Sequence, residues 1–350
     1  MSFFGFKQKK SFLGIDIGST SIKLVELSKE KGVPTLVTYG YAERAISDII
    51  KGDAQKILNK VAALLKRLYT DAGITSFQAV TALPNYSVFN SVITLPMMNK
   101  KELNSAVRWE AKKFIPMPIN DVVLDWRIID TIEVDKRRKN YRILLTAAAK
   151  NLVRRYVEIF KKADLELLSL ETESFALSRA LIGRSQATTM IIDTSAVTTD
   201  IIIIEKGVPA LNRSIDVGGI TISRAIANSL NVDFKRAEQF KRDIGMSGSS
   251  KIPRVIEGIL KPVVDEMRYS LRLYQEQSDK AIEQVIFSGG SAYLPNLAEY
   301  FSKILNIRVI IGNPWARIAY PEDLKPALDE VAPRFAVAVG LALREIVNKT

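Results

Sequence analysis

The sequence predicts an α/β protein of two related domains that face each other, with a smaller α/β subdomain inserted into the first. The main observation is a pair of stretches with one form, LGIDIGSTSIKLVEL (13–27) and TMIIDTSAVTTDIIII (189–204). Each runs from an apolar strand through an aspartate and a turn of small residues into a second apolar strand. The aspartates, Asp16 and Asp193, are separated by about half of the 350-residue chain. A repeat with this spacing is typical of paired domains.

A separate hydrophobic pattern inside the first half predicts the inserted subdomain. Ahead of it we expect three strands, an amphipathic helix over 53–72 and a fourth strand. The insert, over 84–162, is predicted to contain a strand, a helix, two more strands and a second helix. Pro116 and Pro118 end the first of these helices, because proline lacks the N–H that a helix interior needs.

The second half begins again with strand–turn–strand at residue 188. Two helices and a flexible joint over 245–250 follow, and then a long helix over 253–276, in which Pro262 predicts a kink. A strand, a glycine turn and a helix come after it over 283–297. We therefore expect a tail (1–11), a first domain (12–83 with 163–187), the inserted subdomain (84–162) and a second domain (188–350) whose C-terminal helix returns to the core.

The residue types that are missing exclude several chemistries. The chain has no cysteine and no histidine, which excludes zinc fingers, thiolate nucleophiles and Ser-His-Asp triads and leaves oxygen-bound Mg²⁺ as the metal to expect. The net charge of +12 suits an anionic partner. However, the basic clusters KQKK (7–10), KRRK (136–139) and KRAEQFKR (235–242) are dispersed and contain few aromatic residues. We therefore expect a solvated or membrane-proximal basic face and no nucleic-acid binding, and KRRK is also compatible with a plain hairpin tip.

We find no pattern of a leader sequence or of a membrane span. The longest apolar run, FAVAVGLAL (335–343), has nine residues, against ~18 for a spanning helix, so we expect a buried helix there. With no cysteine and no leader pattern, we expect a cytoplasmic protein without disulfides.

The paired hairpins predict a clamp for phosphate and a metal ion. A turn of small residues leaves backbone N–H groups that can converge on an anion. An aspartate on each side of a cleft can hold Mg²⁺ directly or through water. Taken singly, each hairpin is better explained as an ordinary tight turn capped by aspartate, and only the pairing favours the clamp.

Two further features are consistent with a nucleotide. Gly289 and Gly290 end a strand before a helix in FSGGSAYLPNL (287–297), which lets a nucleoside or a phosphate approach the backbone. An ordinary glycine turn explains the same residues. Glu238 and Lys241 stand three residues apart on one helix face, either as a surface ion pair or as hydrogen-bonding groups for a ribose.

These motifs and their order resemble those of the actin-like ATPases, which include actin, the heat-shock-70 chaperones, the sugar kinases and FtsA. The order is DIGS-x-x-x-K, D-T-S-A-x-x-T, VGG (217–219), AE-x-x-K and SGG. Within this superfamily the chain is most similar to the PilM family of type IV pilus assembly, on AVRWEAKKFIPMPINDVVLDW (106–126), NPW (313–315) and FAVAVGLALR (335–344). The resemblance covers nearly the whole chain. It implies a two-domain actin-like (ribonuclease H-like) ATPase fold with an inserted α/β subdomain of FtsA type.

The resemblance also implies a site for ATP and Mg²⁺ between the two domains. Asp16 and Asp193 match the carboxylates on the magnesium side, which hold the ion through water. The positions that match nucleotide-binding residues are Gly18, Ser19, Thr20 and Lys23 in the first turn; Asp193, Ser195, Ala196 and Thr199 in the second; Gly218 and Gly219 in a linker near the phosphates; Glu238 and Lys241 at the ribose and adenine; and Gly289, Gly290 and Ser291 at the adenosine.

Ser195 departs from the family pattern, which has glycine at this position. A Cβ here narrows the approach to the γ-phosphate or changes the backbone angle, although the serine hydroxyl can itself donate to phosphate. No histidine is present to orient water, and Asp200 is the only charged neighbour after Thr199. We therefore expect ATP binding with at most slow hydrolysis, and we identify no catalytic residue from the sequence.

The partners are implied by the same resemblance. In the PilM family the inserted subdomain and the first half form a groove for the cytoplasmic N-terminal peptide of PilN, a single-span membrane protein. This implies an adaptor at the periphery of the inner membrane that links the pilus motor ATPase to the platform components. The tail, with Phe3, Phe4 and Phe6 ahead of KQKK, either contacts an anionic membrane or is disordered.

Two other functions stay open. An FtsA-type protein would polymerise at the membrane with ATP, but such anchors have an amphipathic helix where this sequence ends in REIVNKT after an apolar helix. A sugar or acid kinase would need a catalytic aspartate and a substrate domain, which the stretch 106–126 disfavours. Self-association remains open for the adaptor as well as for the filament.

Overall fold

Three β-sheets carry the fold. The computed structural model describes residues 11–43, 54–135, 138–248, 250–278 and 280–347. Within these residues, two sheets have five strands and one has three. The tail with Phe3, Phe4, Phe6 and KQKK, and three residues of the predicted loops (Lys136, Arg137 and Ser249), lie outside the described residues.

The first five-stranded sheet contains the first predicted hairpin. Its strands are β1 (Ser11–Ile17), β2 (Ser21–Glu30), β3 (Val33–Glu43), β4 (Gln78–Leu83) and β8 (Glu166–Thr172). Their order across the sheet is β3-β2-β1-β4-β8. Strand β1 is antiparallel to β2 and parallel to β4, which is in turn parallel to β8.

The second five-stranded sheet repeats this arrangement. Its strands are β9 (Thr189–Thr194), β10 (Thr199–Glu205), β11 (Val208–Ile215), β12 (Gln284–Gly289) and β13 (Val309–Ile311). Their order, β11-β10-β9-β12-β13, matches the first sheet position by position, with β9 antiparallel to β10 and parallel to β12. The repeat noticed in the sequence is therefore a repeat of sheet topology, and the two hairpins occupy equivalent places.

The helices fill the segments between the strands. Their bounds are α1 (Ala54–Asp71), α2 (Lys100–Phe114), α3 (Lys150–Lys162), α4 (Glu173–Leu177), which continues as a π-helical turn over Ser178–Ile182, α5 (Gly219–Leu230), α6 (Phe234–Ile244), α7 (Lys251–Gln277), α8 (Leu297–Leu305), α9 (Lys325–Val331) and α10 (Ala336–Val347). The predicted helix over 53–72 is α1, and the predicted long helix is α7, which contains Pro262. Within the described residues, no helix combines the length and the apolarity that a membrane span requires.

The three-stranded sheet lies in the segment expected to be the insert. It consists of β5 (Val88–Pro96), β6 (Val122–Asp135) and β7 (Arg138–Ala149), in the order β5-β7-β6, all antiparallel. Helix α2 packs on this sheet through Leu103, Val107 and Ala111. Its first turn is closed by a capping box, in which Asn99 accepts from the backbone N–H of Glu102 at 3.0 Å.

Helix α10 is the buried helix predicted from the apolar run. Its residues from Ala336 to Leu343 are buried, and it packs against β1 and β2 of the first sheet as well as α4. Gly340 permits the contact with α4, because a Cβ there would lie 2.0 Å from the carbonyl oxygen of Ala176. The C-terminal segment of the chain thus completes the core beneath the first hairpin.

A network of ion pairs joins the three-stranded sheet to the second five-stranded sheet. Arg142 on β7 lies 3.2 Å from Asp130 on β6 and 3.3 Å from Glu205 at the end of β10. Lys206 approaches Asp130 to 3.1 Å, and Lys280 approaches Glu205 to 2.8 Å. Because the Glu205 carboxylate is buried, its two cations are needed to balance it.

Candidate functional site

The first hairpin holds a closed aspartate–lysine pair beside a tight turn. Asp16 on β1 and Lys23 on β2 are cross-strand neighbours, and Lys23 Nζ lies 2.7 Å from Asp16 Oδ2. The turn between them is tight, with the N–H of Gly18 donating to the Ser21 carbonyl at 2.9 Å. Both side chains are mostly shielded from solvent. The Asp16 carboxylate therefore has Lys23 as a fixed positive partner.

The second hairpin places two carboxylates where the first has an ion pair. Asp193 on β9 is the cross-strand neighbour of Asp200 on β10, the register that Asp16 and Lys23 occupy in the first hairpin. Asp200 is stabilised by neutral donors: it accepts from the hydroxyl of Ser214, and from Nδ2 of Asn85 at 3.2 Å. Ser288, the β12 neighbour of Asp193, acts to lower the pKa of that carboxyl group. No cation is paired with either carboxylate among the described residues.

This arrangement raises the pKa values of three carboxyl groups. Burial, and then the charge of Asp200, raises the pKa of Asp193 to about 7. Burial raises the pKa of Asp200 to about 6, against the opposing effect of its hydrogen bonds from Ser214 and Asn85. The pKa of Glu173 is raised well above its usual range, first by burial and then by the charges of Asp200 and Asp16. Ionisation of these carboxyl groups is therefore disfavoured in the fold, and a bound cation would stabilise their ionised forms.

Glu173 and Asn85 are site residues that the sequence analysis missed. The backbone N–H of Asn85 donates to Glu173 Oε2 at 2.9 Å, and Ser174 Oγ donates to Asn85 Oδ1 at 2.7 Å. A signal was available: both residues follow the carboxyl ends of parallel strands, β4 and β8, of one sheet. Such ends meet at the same edge, where ligands bind in open α/β sheets.

Ser195 uses its hydroxyl to close the second turn. Ser195 Oγ accepts from the backbone N–H groups of Val197 at 3.2 Å and Thr198 at 3.0 Å, and it lies 3.1 Å from Thr198 Oγ1. Those two N–H groups are the donors that a small-residue turn would offer to an anion. The serine that stands in place of the family glycine therefore competes with an anion for the same donors.

A third group of predicted residues meets behind the second turn. Lys241 is buried, and its Nζ lies 2.7 Å from Glu238 Oε2 and 3.1 Å from the Gly219 carbonyl oxygen. Arg242 Nε donates to Glu238 Oε1 at 3.1 Å. Of the two explanations for Glu238 and Lys241, an ion pair is present, but Lys241 is not at the surface, and burial lowers its pKa.

The glycine turn after β12 lies against the second hairpin. Gly289 pairs with Thr194 and has a φ of +85°, and a Cβ there would meet the Thr194 carbonyl oxygen at 2.3 Å. Gly290, by contrast, is exposed and has no atom within 4 Å of a Cβ position. Ser291 is buried beside Gly219. The turn therefore needs glycine at its first position for the fold, while the second position borders open space.

Three predicted residues are less directly placed for contact with a ligand. Thr199 is fully buried, and its hydroxyl donates to the Val217 carbonyl at 2.7 Å, so it points into the fold and away from the cavity. The carbonyl of Ala196 accepts from the N–H of Ile220 at 2.9 Å and packs against Gly218. Thr20 is partly exposed at the first turn. For Thr199 the strand register decides the direction of the side chain. A motif match contains no information about that register.

A cavity of about 500 Å³ connects the two hairpins. Its polar wall is formed by Gly18, Ser19, Glu173, Asp193, Ser195, Thr198 and Asp200. Its opposite wall is mainly apolar and comes from α1 and α3, with Ile57, Leu58, Val61, Leu152, Tyr156 and Ile159. Arg155 of α3 and Tyr86 also line it. The cavity therefore borders both phosphate-type turns on one side and an apolar helix pair on the other.

The donor set of the site is compatible with a metal that keeps most of its water. The described residues contain no group of three or more carboxylates placed to hold a metal ion by themselves. Mg²⁺ is commonly held by one or two carboxylates together with water and the phosphates of a nucleotide. Asp193, with its raised pKa and no paired cation, fits that role better than Asp16, which is paired with Lys23.

Comparison with known proteins agrees with this architecture. The family model described as Type IV pilus assembly protein PilM matches residues 14–346. A solved structure, described as a PilM-PilN type IV pilus biogenesis complex, is 29% identical and has a TM-score of 0.83, covering 96% of this chain and 98% of that chain.

More distant structures share the fold. The ethanolamine utilization protein EutJ from Carboxydothermus hydrogenoformans is 20% identical with a TM-score of 0.56, over 95% of this chain and 89% of that one. MreB5 of Spiroplasma citri, bound to ADP, is 15% identical with a TM-score of 0.54, over 97% and 98%. The expected two-domain actin-like fold is thereby confirmed. With a family match over nearly its whole length, this chain belongs to the PilM family of type IV pilus assembly proteins.

Proposed function

We propose that this chain is an ATP-binding adaptor of type IV pilus assembly that holds the cytoplasmic N-terminal tail of a PilN-like membrane protein. The cavity is the observation that carries this function. Its polar wall contains both hairpin turns, and its apolar wall comes from α1 and α3. A phosphate group and an apolar peptide can therefore be bound side by side.

The nucleotide is proposed to lie between the two five-stranded sheets. The turns at Gly18–Ser19 and at Ser195 face one cavity and offer the phosphate end of the site. The open space beside Gly290 and the Gly219–Lys241 contact offer the nucleoside end. Glu238 and Lys241 already bond to each other, so a ribose would share their hydrogen bonds.

Mg²⁺ is proposed as the metal because the acidic groups at the site are carboxylates, and Mg²⁺ prefers oxygen ligands. It would be held through water by Asp193 and Asp16, and it would neutralise charge on the nucleotide phosphates. Asp193 and Asp200 stand opposite each other with no paired cation among the described residues, and a cation beside them would stabilise their ionised forms.

Hydrolysis is proposed to be slow. In the second turn two backbone N–H groups donate to Ser195 Oγ, so fewer donors are left to stabilise a γ-phosphate. Glu173 lines the cavity, but its strongly raised pKa favours the neutral form, which is a poor general base.

The PilN-like tail is proposed to use the apolar wall formed by α1 and α3. The complex named for the 29%-identical structure contains PilN, and apolar side chains such as Leu58, Val61 and Leu152 suit an extended apolar peptide. Bound in this way, the chain lies at the inner-membrane periphery and links the pilus motor to the platform. Membership of the PilM family does not favour the FtsA-type filament.

Nucleotide binding is tested with Asp16→Ala and Gly290→Arg, measured by calorimetric titration with ATP and Mg²⁺. Both variants should lose at least about tenfold in affinity, because one disrupts the first hairpin and the other fills the space beside the glycine turn. Gly258→Arg is the matched control, since Gly258 on α7 also has no atom near a Cβ position but lies outside the site. Unchanged affinity in both site variants would contradict the nucleotide clamp.

Tail binding is tested by titration with the N-terminal peptide of the PilN-like protein encoded by the same organism. Leu152→Arg should abolish peptide binding because it places a charge in the apolar wall, while ATP binding is retained. Val157→Arg, at an exposed position of the same helix, is the control. If the parent chain does not bind the peptide, the adaptor function is wrong even when ATP binds.

A further inference from the structure

Helix α2 carries a basic face that the proposed function leaves unused. Leu103, Val107 and Ala111 face the three-stranded sheet and are buried. The opposite side carries five residues. Four of them follow the first by four, seven, eight and eleven positions, so all five lie in one stripe about 16 Å long. These residues are Lys101, Ser105, Arg108, Trp109 and Lys112.

A large aromatic side chain stands exposed in the middle of this basic stripe. Trp109 is 66% exposed, whereas Trp315 is fully buried in the core. Lys112 Nζ lies over the Trp109 ring at 5.3 Å from its centroid. Packing inside this chain therefore does not account for the indole, which keeps most of its surface in water.

Further apolar side chains are exposed at both ends of the helix. Met97 precedes it, and Phe114 and Met117 stand at and beyond its last turn, each more than two-fifths exposed. Phe114 and Met117 lie in the stretch 106–126 that carries the family resemblance. The exposed apolar groups therefore flank the basic stripe at the two ends of the helix.

Among the residues that the structure describes, no carboxylate balances the positive charge of the stripe. Of the two carboxylates on α2, Glu102 is part of the capping box, and Glu110 pairs with Lys113 at 2.9 Å. In the described part of the chain, Lys101, Arg108 and Lys112 have no carboxylate within ion-pair distance. Three neighbouring cations therefore lack an anionic partner.

We propose that this face of α2 rests on an anionic lipid surface. An exposed stripe of lysine, arginine and tryptophan suits a layer of phosphate head groups, where indole rings lie at the level of the head groups and cations meet phosphate. The contact does not depend on the bound nucleotide or the PilN-like tail.

The test is sedimentation of the full chain with vesicles. The parent chain should bind vesicles of equal parts phosphatidylcholine and phosphatidylglycerol, bind pure phosphatidylcholine weakly, and lose binding as salt rises. Reversing the stripe with K101E, R108E and K112E together should lower partitioning at least about tenfold. Trp109→Ala should lower it severalfold. The emission of Trp109 should shift to the blue on anionic vesicles, and this shift should be absent in Trp109→Phe.

The matched control carries the same change in net charge at a distance from α2. It combines K235E, R254E and K303E, at exposed positions on α6, α7 and α8, and it should bind vesicles far better than the stripe variant. The proposal is overturned if the parent does not bind anionic vesicles, if both triple variants bind equally, or if the stripe variant binds as the parent does. Retained ATP and peptide binding in the stripe variant shows that it is folded and separates this outcome from the proposed function.

Discussion

The residue that stands opposite the aspartate differs between the two hairpins, and that difference sets the charge of the site. Lys23 neutralises Asp16 in the first hairpin, whereas Asp200 stands opposite Asp193 in the second. The first hairpin is therefore complete without a ligand. The second holds two carboxylates whose ionisation is disfavoured until a cation arrives.

Asp193→Asn should change how stability depends on pH. The pKa of Asp193 is about 7 in the fold and about 4 in an unfolded chain, so the folded state holds an extra proton between these values. Its contribution to stability is present below about pH 4 and is lost as pH rises through about 7. The asparagine variant should match the parent near pH 4 and exceed its unfolding free energy at pH 8 by up to roughly 4 kcal/mol, since each of the about three pKa units between the two states corresponds to about 1.4 kcal/mol.

Urea unfolding at several pH values checks this prediction. Some slope should remain in the variant, since Asp200 and Glu173 also have raised pKa values. Asp71→Asn is the control, because Asp71 is largely exposed. Parallel pH profiles for parent and variant would show that Asp193 ionises without cost in the fold.

Ser195→Gly should strengthen ATP binding. It frees the N–H groups of Val197 and Thr198 from the serine hydroxyl and removes a Cβ beside the phosphate end. We expect a gain of about three- to tenfold in affinity, equal to one hydrogen bond of about 1 kcal/mol, and faster hydrolysis. Calorimetry and phosphate release measure the two effects.

Ser195→Ala separates the two causes within this prediction. It removes the hydroxyl but keeps the Cβ, so an equal gain in both variants assigns the effect to the released donors. A gain in glycine alone assigns it to the Cβ. Weaker binding in both variants would instead show that the hydroxyl helps to hold the phosphate, as its chemistry also allows.

At the scale of elements, the crossing of α10 and α4 is the tightest contact beneath the first hairpin. The Cβ position of Gly340 would lie 2.0 Å from the Ala176 carbonyl oxygen, which is backbone and cannot rotate away. Because the π-helical turn over Ser178–Ile182 continues α4 directly, a shift of α10 would be transmitted to the segment that leads into the second half. This crossing therefore fixes α10 against α4 beneath the first hairpin.

Gly340→Ala should destabilise the protein by about 1–3 kcal/mol, the usual cost of overpacking a tight core. The same substitution at Gly258 in α7 should stabilise by about 0.5–1 kcal/mol, because a Cβ there meets nothing and alanine favours a helix. Denaturant midpoints for the pair measure both signs. Equal effects at the two positions would show that α10 can move away from α4 without cost.

At the scale of the whole molecule, the ion-pair network connects the inserted sheet to the second half. Burial acts to raise the pKa of Glu205, but the hydrogen bond from Lys280 and the charge of Arg142 outweigh it and hold the pKa below its usual range. The network is thus stabilising at neutral pH and is lost as pH falls through that lowered pKa. The insert is tied to the sheet that carries Asp193, so the two parts should move together.

Arg142→Leu should loosen this connection. It leaves Asp130 with Lys206 and Glu205 with Lys280, and we expect a loss of about 1–3 kcal/mol. Hydrogen–deuterium exchange should rise in β5–β7 and at the β10–β11 turn, but not in the first sheet. The control is Arg213→Leu, which removes an exposed ion pair with Glu266 on the same half. Unchanged exchange in the Arg142 variant would contradict a mechanical connection.

Much of the architecture was readable from local pattern. Alternating and continuous apolar runs predicted the strands, three-to-four spacing predicted α1, and the repeat around Asp16 and Asp193 predicted equivalent hairpins, because these features depend on residues close in the chain. Gly289 was identified for the same reason, since a tight turn of this kind requires glycine at one position, and that requirement is visible in the local sequence.

The amino-acid sequence by itself thus determined the family, the paired hairpins and the residue types available for chemistry. Only the tertiary structure decided that Lys23 neutralises Asp16, that Asp200 opposes Asp193, that Asn85 and Glu173 join them, and that Thr199 turns away from the cavity. These contacts depend on strand register and on which strands end at one edge of a sheet. They join residues up to 115 positions apart, as between Asn85 and Asp200, and no local pattern encodes such a distance.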